Sequence, residues 1–401
     1  METDDNICRS LYVNGTRPKT ERSGFGGQPF GPQPSLRRPS SPMALAAVIC
    51  SGRLLYGHLR CWRLFLRKID VVRAWGKILK GNCPSLSIEV TKECPLRCPG
   101  CYAYDDGHLG GAVTLRGLAD RKGQELIDGI LEVVDRVKPL HLSLVGGDPL
   151  VRYRECEALI PQLIARGVHV QLVTSAFRPM SPTWGSLEKL NVVVSVDGLQ
   201  PEHDARRAPA TYDRILRNIA GQKVTIHCTV TGQMMKRRDY LHEFLEFWTN
   251  YREIKKVWFS LFTPQLGDCM PEILTPAERV LAIDTMLHLR REFRKLDMSE
   301  GLIQQFAAPP PSPDKCIFAL TTQTLSADLK TVVTPCQYGG NPDCSVCGCI
   351  ASMGLAAVAE HRLAGLIPVR TIFEASLRIG RTRAKNVREP AAAATQLNVL
   401  Q

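Results

Sequence analysis

The sequence has no uninterrupted apolar run of the roughly 20 residues that a membrane-spanning helix needs, which excludes anchoring by such helices. Its first 42 residues are polar and rich in Gly and Pro, and they lack the basic-then-apolar order of a secretory leader. Acidic residues fall short of basic ones, 39 against 51, for a net charge of +12. That excess alone would fit nucleic acid. However, no recognition-helix, zinc-finger or RNP pattern accompanies it, and much of it lies near the two ends, so no nucleic-acid partner is expected. Cysteine, by contrast, is plentiful, with 15 in 401 residues. Disulfide frameworks belong mostly to small secreted domains. A reducing, low-oxygen cytoplasm and metal-ligating thiols are the better expectation. The 44% hydrophobic content supports a sizeable core, and the length suits one large domain with appendages.

Three of the thiols fall within eight residues, Cys94-Pro-Leu-Arg-Cys98-Pro-Gly-Cys101, just after the apolar run 86–90. C-x3-C-x2-C on one loop suits an iron–sulfur cluster, each thiolate taking one iron. Three ligands leave the fourth iron open, as a catalytic cluster requires. Zinc usually draws on two separated C-x2-C pairs, and no fourth ligand stands beside this loop.

Strands and helices alternate from Ser85 onward. Candidate strands are 86–90, 141–145, 168–173, 192–196, 224–230 and 257–261. Helical stretches lie around 124–137, 154–165, 212–220 and 240–250, with a further helix from Pro276, after a Thr275 cap, to about Leu296. Short β-branched strands joined by helices imply parallel pairing through right-handed crossovers. Six units make a partial (β/α)6 TIM-type barrel, which places its chemistry at the C-terminal ends of the strands. The cysteine loop follows the first strand, and Gly146-Gly147-Asp148-Pro149 follows the second. Glycine there lets main-chain groups approach a ligand, and Asp148 is placed to accept from an ammonium.

A strand, then C-x3-C-x2-C, then a second strand and Gly-Gly-Asp-Pro resembles the radical S-adenosylmethionine (radical SAM) enzymes over about residues 85–350. The resemblance implies that Cys94, Cys98 and Cys101 hold a catalytic [4Fe–4S] cluster. Its open iron would chelate S-adenosylmethionine, and one electron would cleave the sulfonium to a 5′-deoxyadenosyl radical that takes hydrogen from substrate. Gly146, Gly147 and Asp148 would seat the amino group. Thr174 and Ser195, at the ends of the third and fourth strands, would contact ribose or carboxylate, and Thr229 holds another position the family uses. Two departures stand out. Gly100 occupies a position that is commonly aromatic, and Asp148 replaces the longer Glu. Near the fourth strand, Asp197 is expected to orient Arg206 or Arg207, and His203 to be a solvent-facing loop residue.

Beyond an Ala/Pro-rich linker at 306–313 come Cys316, Cys336, Cys344, Cys347 and Cys349. These resemble a SPASM/twitch extension, which implies an auxiliary [4Fe–4S] cluster behind a hairpin with strands 321–325 and 330–334. Five thiols exceed the four that one cubane needs, and zinc is the rival ligand. Cys8, Cys50, Cys61, Cys83, Cys156, Cys228 and Cys269 read as packing or free thiols. At the N-terminal side, Leu55, Leu59, Trp62, Leu66, Ile69 and Val72 recur at steps of three and four among Arg and Lys. That stripe fits either a helix packed on the barrel or one lying on anionic lipid at the inner membrane face.

The expected organisation is a disordered segment (1–42), a basic amphipathic helical segment (43–84), the partial barrel (85–305), a small cysteine-rich extension (306–350) and a helical basic tail (351–401). The expected activity is reductive cleavage of S-adenosylmethionine, served by a reducing partner such as flavodoxin or ferredoxin, on a peptide, metabolite or lipid-like substrate. The alternative is a non-catalytic iron–sulfur or zinc protein on the same barrel.

Overall fold

The computed structural model describes residues 68–102, 105–363 and 366–387. The expected disorder of 1–42 and most of the stripe, from Leu55 to Leu66, lie outside them. In chain order the main elements are α1 (Lys68–Leu79), β1 (Ser85–Glu89), α2 (Gly123–Val137), β2 (His141–Val145), α3 (Tyr153–Ala165), β3 (His169–Thr174) and β4 (Leu190–Ser195). Then come α4 (Gln200–Arg207), α5 (Tyr212–Asn218), β5 (Val224–Val230), α6 (Tyr240–Thr249), β6 (Ile254–Leu261), α7 (Pro276–Glu292), β7 (Thr322–Leu325), α8 (Ile350–Glu360) and α9 (Val369–Val387).

These seven strands form one parallel, open sheet in the order β6-β5-β4-β3-β2-β1-β7, the partial TIM-type arrangement that the alternation predicts. Strand residues alternate between two faces. One set, including Leu86, Ile88, Leu142, Leu144, Val170 and Leu172, joins apolar residues of the helices in a single buried core. That core orients the sheet, so the loops after β1 and β2 open together at its C-terminal edge. Helix α7 starts where expected, with Thr275 and Glu278 forming a capping box.

The seventh strand departs from expectation. Thr322–Leu325 pairs parallel with β1, Ser85 opposite Thr322 and Ile88 opposite Leu325, and so extends the barrel sheet. Of the predicted hairpin there remains one antiparallel bridge, between Leu325 and Val332, and a turn in which Asp328 accepts from the backbone of Lys330 and Thr331. Leu325 gains more by burying beside Ile88 in the core than it would on an exposed hairpin.

Phe306, His203 and Cys269 also depart from expectation. Phe306, placed in a linker, is fully buried in the core. His203 is not a solvent-facing loop residue; it lies on α4 with no exposed surface. Its Nδ1 accepts from Asp197 N at 3.0 Å, and Nε2 lies 2.8 Å from the Ala210 carbonyl. Cys156 and Cys228 are buried packing thiols, whereas Cys269 is disulfide-bonded.

Helix α1 packs on α9. Trp75 stacks on Phe373 at 5.8 Å and donates to Ser376 Oγ at 2.8 Å, and a Cβ on Gly380 would strike the Ile78 carbonyl. Among the described residues no helix is long and apolar enough to cross a membrane.

Candidate active site

The cysteine loop and the Gly-Gly loop are stitched backbone to backbone. Gly147 N donates to Thr91 O at 2.7 Å and Asp148 N to Glu93 O at 3.0 Å. Gly146 sits at φ +122°, and a Cβ there would lie 2.7 Å from the Thr91 carbonyl; one on Gly147 would run into Glu93 O. Only glycine allows so close an approach. Glu93, at the head of the cysteine loop, is clamped by Arg152 and Lys122 at 3.0 Å each. These two hold its carboxyl down at about 2. Arg152 also pairs with the buried Asp120 at 2.6 Å, and Asp120 accepts from Thr91 Oγ1 at 2.8 Å.

Burial first, and then the neighbouring charges of Asp148, Cys101 and Cys98, pushes the Cys94 thiol up to about 12. Burial likewise raises Cys98, against the pull of Arg207. Among the described residues no three His, Cys, Asp or Glu side chains gather around a single metal ion. A cubane places each thiolate on a separate iron corner and needs no such convergence. The donor chemistry fits that group: three half-buried thiols close enough to feel one another, beside a loop whose glycines leave its backbone bare.

Gly100, the departure from the family pattern, is accounted for by its surroundings. It sits at φ +70°, and a Cβ would meet the Phe262 ring at 3.1 Å. The ring that packs here comes from the end of β6.

Asp148 plays a different part from the one expected. Its Oδ1 accepts from Thr174 Oγ1 at 2.7 Å and Leu150 N at 2.9 Å, and its Oδ2 from Ser175 N at 2.8 Å and Ser175 Oγ at 2.6 Å. A carboxylate has about four lone-pair sites, and all are spent within the protein. Asp148 is therefore a tie between the Gly-Gly loop and the end of β3. Thr174 is buried with it and faces the helix layer. Ser195 lies on the opposite face, half-buried at the end of β4.

Asp197 does orient both arginines. Arg207 Nε lies 2.8 Å and Arg206 Nε 3.9 Å from its Oδ2. Burial raises the Asp197 carboxyl, but Arg207 overrides this and holds it below the ordinary range. Arg206 also binds Glu272 at 2.6 Å and reaches the Pro99 carbonyl at 3.3 Å, which brings positive charge to the cysteine loop.

The five C-terminal cysteines line one cavity, together with Thr263, Gln337, Tyr338 and Ser352. Burial, with the neighbouring thiols behind it, pushes Cys336 up to about 12 and Cys344 to about 11. Cys349 is the deepest of the five and accepts from Gln337 Nε2 at 3.2 Å. Cys316 Sγ lies 3.1 Å from Ser352 Oγ. The cavity sits at the C-terminal end of β6, where Leu261 N donates to Gly348 O and Gly348 N to Thr263 Oγ1.

Sequence reasoning missed what joins the two cysteine groups. His108 is fully buried, with Nε2 2.6 Å from Glu89 Oε1 and Nδ1 2.8 Å from the Tyr338 carbonyl. Glu89 also accepts from Ser326 Oγ, and Tyr102 tilts against the His108 ring at 4.6 Å while donating to Gly146 O at 3.0 Å. Burial lowers the His108 pKa, but the Glu89 bond outweighs it and the net shift is upward. No motif announces this cluster; a charged residue inside an apolar strand, Glu89, is its only trace in the sequence.

Residues 88–247 match the family described as the Radical SAM superfamily. Among solved structures, the chain is similar to native anSMEcpe with bound AdoMet, at 17% identity and a TM-score of 0.47 over 63% of this chain and 74% of that one. It is also similar to Streptococcus suis SuiB, at 16% identity and a TM-score of 0.47 over 71% and 66%. SuiB bound to precursor peptide SuiA gives 15% identity and a TM-score of 0.45 over 65% and 61%. A search of curated proteins returns no match.

Proposed function

Because residues 88–247 match the Radical SAM superfamily, we propose that the chain is an enzyme of that class and that Cys94, Cys98 and Cys101 hold a [4Fe–4S] cluster that binds S-adenosylmethionine. The observation that carries this is the loop pair after β1 and β2: three thiols on one loop, with the Gly146-Gly147 backbone laid directly on it. A cluster held by these three thiols would supply the electron for reductive cleavage of S-adenosylmethionine to a 5′-deoxyadenosyl radical. The chain's own residues set the stage. Arg152, Lys122 and Asp120 fix the head of the cysteine loop, and Asp148 fixes the Gly-Gly loop against β3. Arg206 and Arg207 bring positive charge near Cys98, favouring its thiolate.

Cys316, Cys336, Cys344, Cys347 and Cys349 supply more than the four thiolates of an auxiliary [4Fe–4S] cluster, and their shared cavity supports that reading over scattered thiols. A flavodoxin or ferredoxin serves as reductant. Anaerobic reconstitution with iron and sulfide, followed by reduction with S-adenosylmethionine present, should yield 5′-deoxyadenosine. An intact cluster that yields none would instead favour the non-catalytic reading.

A further inference from the structure

The sheet face turned away from the helices carries a row of uncharged hydrogen-bonding side chains. Thr324 on β7 stands opposite Ser87 on β1, Ser87 opposite Ser143 on β2, Ser143 opposite Gln171 on β3, and Gln171 opposite Asn191 on β4. Thr225 on β5 prolongs the row, donating to Asn191 Oδ1 at 3.0 Å. In a closed (β/α) barrel, inward layers are filled mainly by bulky branched residues. Here five strands contribute an amide or a hydroxyl at one level, and Thr225, opposite Val193, adds a sixth one step on.

The row has more hydrogen-bonding capacity than it uses internally. Gln171 reaches Ser143 Oγ only at 3.5 Å, the outer limit of a hydrogen bond. Ser87 is 2% exposed, and its hydroxyl has no partner among the described residues. A buried hydroxyl left unmatched costs roughly 1–3 kcal/mol, so it calls for a ligand or water. Ser143, Gln171 and Asn191 are only half-buried, so the row is reachable. Charge beside the row is already committed: Glu89, one step nearer the cysteine loop on the same face, to His108 and Ser326, and Lys256, opposite Thr225 on β6, to Asp297 at 3.3 Å.

On the premise that the radical SAM reading holds, we propose that this row binds the substrate, and that the substrate is water-soluble and presents uncharged amide or hydroxyl groups to it. A hydrocarbon placed there would leave Ser87 and the unused capacity of Ser143, Gln171 and Asn191 unpaired.

The test uses the full chain, reconstituted anaerobically, and measures 5′-deoxyadenosine formation. Three fractions are added, prepared from cells that make the protein natively: the chloroform-soluble fraction, the aqueous small-molecule filtrate, and the aqueous macromolecular retentate. One of the two aqueous fractions should raise the rate severalfold, and which one does so separates a free metabolite from a peptide. Asn191→Leu and, as a second variant of similar volume, Gln171→Met should each raise the half-saturating amount of that fraction by about tenfold, the effect of one lost buried hydrogen bond. Thermal melts and iron content identify a variant that has failed to fold. Stimulation by the chloroform fraction alone, stimulation by none, or unchanged half-saturation in both folded variants overturns the proposal. Absence of 5′-deoxyadenosine under every condition overturns the radical SAM reading itself.

Discussion

The two cysteine groups are built in opposite ways. Cys94, Cys98 and Cys101 come from one loop, and one neighbouring loop fixes the backbone just ahead of them, at Thr91 and Glu93. The second group is drawn from separate pieces. Cys316 leads into a short helix, Cys344 and Cys347 bracket a single helical turn, and Cys349 caps α8. The first arrangement depends on local spacing. The second depends on β6, α7 and α8 already being in place, since Arg279 on α7 donates to the carbonyls of Phe306, Val346 and Cys347 at 2.7–2.9 Å. Replacing a first-group residue should therefore strike the chemistry and spare the fold, whereas disturbing the second group should strike both.

The largest effect expected is from Cys94, Cys98 and Cys101 replaced together by Ala. Formation of 5′-deoxyadenosine should fall to background while the melting profile stays close to that of the parent. A triple variant that still cleaves S-adenosylmethionine would remove the site from this loop. The second test is metal content: about eight irons per anaerobic chain if both groups hold [4Fe–4S] clusters. About four irons and one zinc would leave the first site standing and reassign the second.

His108 is where the comparison can be broken directly, because it ties the first loop to Tyr338 in the second group. His108→Ala leaves the buried Glu89 with the Ser326 hydroxyl alone, a loss of up to about 3–5 kcal/mol by analogy with broken buried pairs. His108→Gln, which can still donate to Glu89, should recover part of it. Urea denaturation of the metal-free chain measures both. A His108→Ala chain as stable as the parent would mean that the two groups are held independently.

Gly100 gives a smaller and purely local effect. Gly100→Ala forces a side chain into the left-handed region against Phe262, at about 1–2 kcal/mol. Phe262→Ala in the same chain should relieve the clash but not the backbone strain. Full recovery would show that the ring alone is responsible.

How much of this was legible follows the same division. Strand positions were readable because each strand buries one apolar face, which imposes a period of two. The first cysteine group was readable because its three thiols are neighbours in sequence. Asp148 stood out beside the two glycines but not as a tie, since only the fold shows Thr174 and Ser175 closing on it. The seventh strand was misassigned because Thr322–Leu325 suits a hairpin as well as a sheet edge, and propensity does not choose the partner. Glu89, His108 and Tyr338 are far apart in sequence, and no spacing rule joins them.

The smallest effect expected is on stability in mild acid, and it bears on the assembled group. His227 Nε2 lies 2.8 Å from Ser260 Oγ, which also accepts from Ile350 N at 3.3 Å, next to Cys349. Burial pushes the His227 pKa down to about 4. At the base of the sheet His141 is likewise lowered to about 4, by burial and then by His169. In the unfolded chain each would titrate near 6.5. The folded state thus binds fewer protons than the unfolded one between those values, so stability falls as pH drops. The loss begins near pH 6.5, is complete near pH 4, and is absent above 7. Both rings are partly exposed, so the full shift is screened and the loss is on the order of 1–2 kcal/mol for each ring. Denaturation of the metal-free chain at pH 7 and pH 5 should therefore show a larger drop for the parent than for His227→Gln. His141→Gln should flatten the profile by a similar amount without touching the second cysteine group. Equal drops in parent and His227→Gln would mean that this ring is already free to protonate in the folded chain.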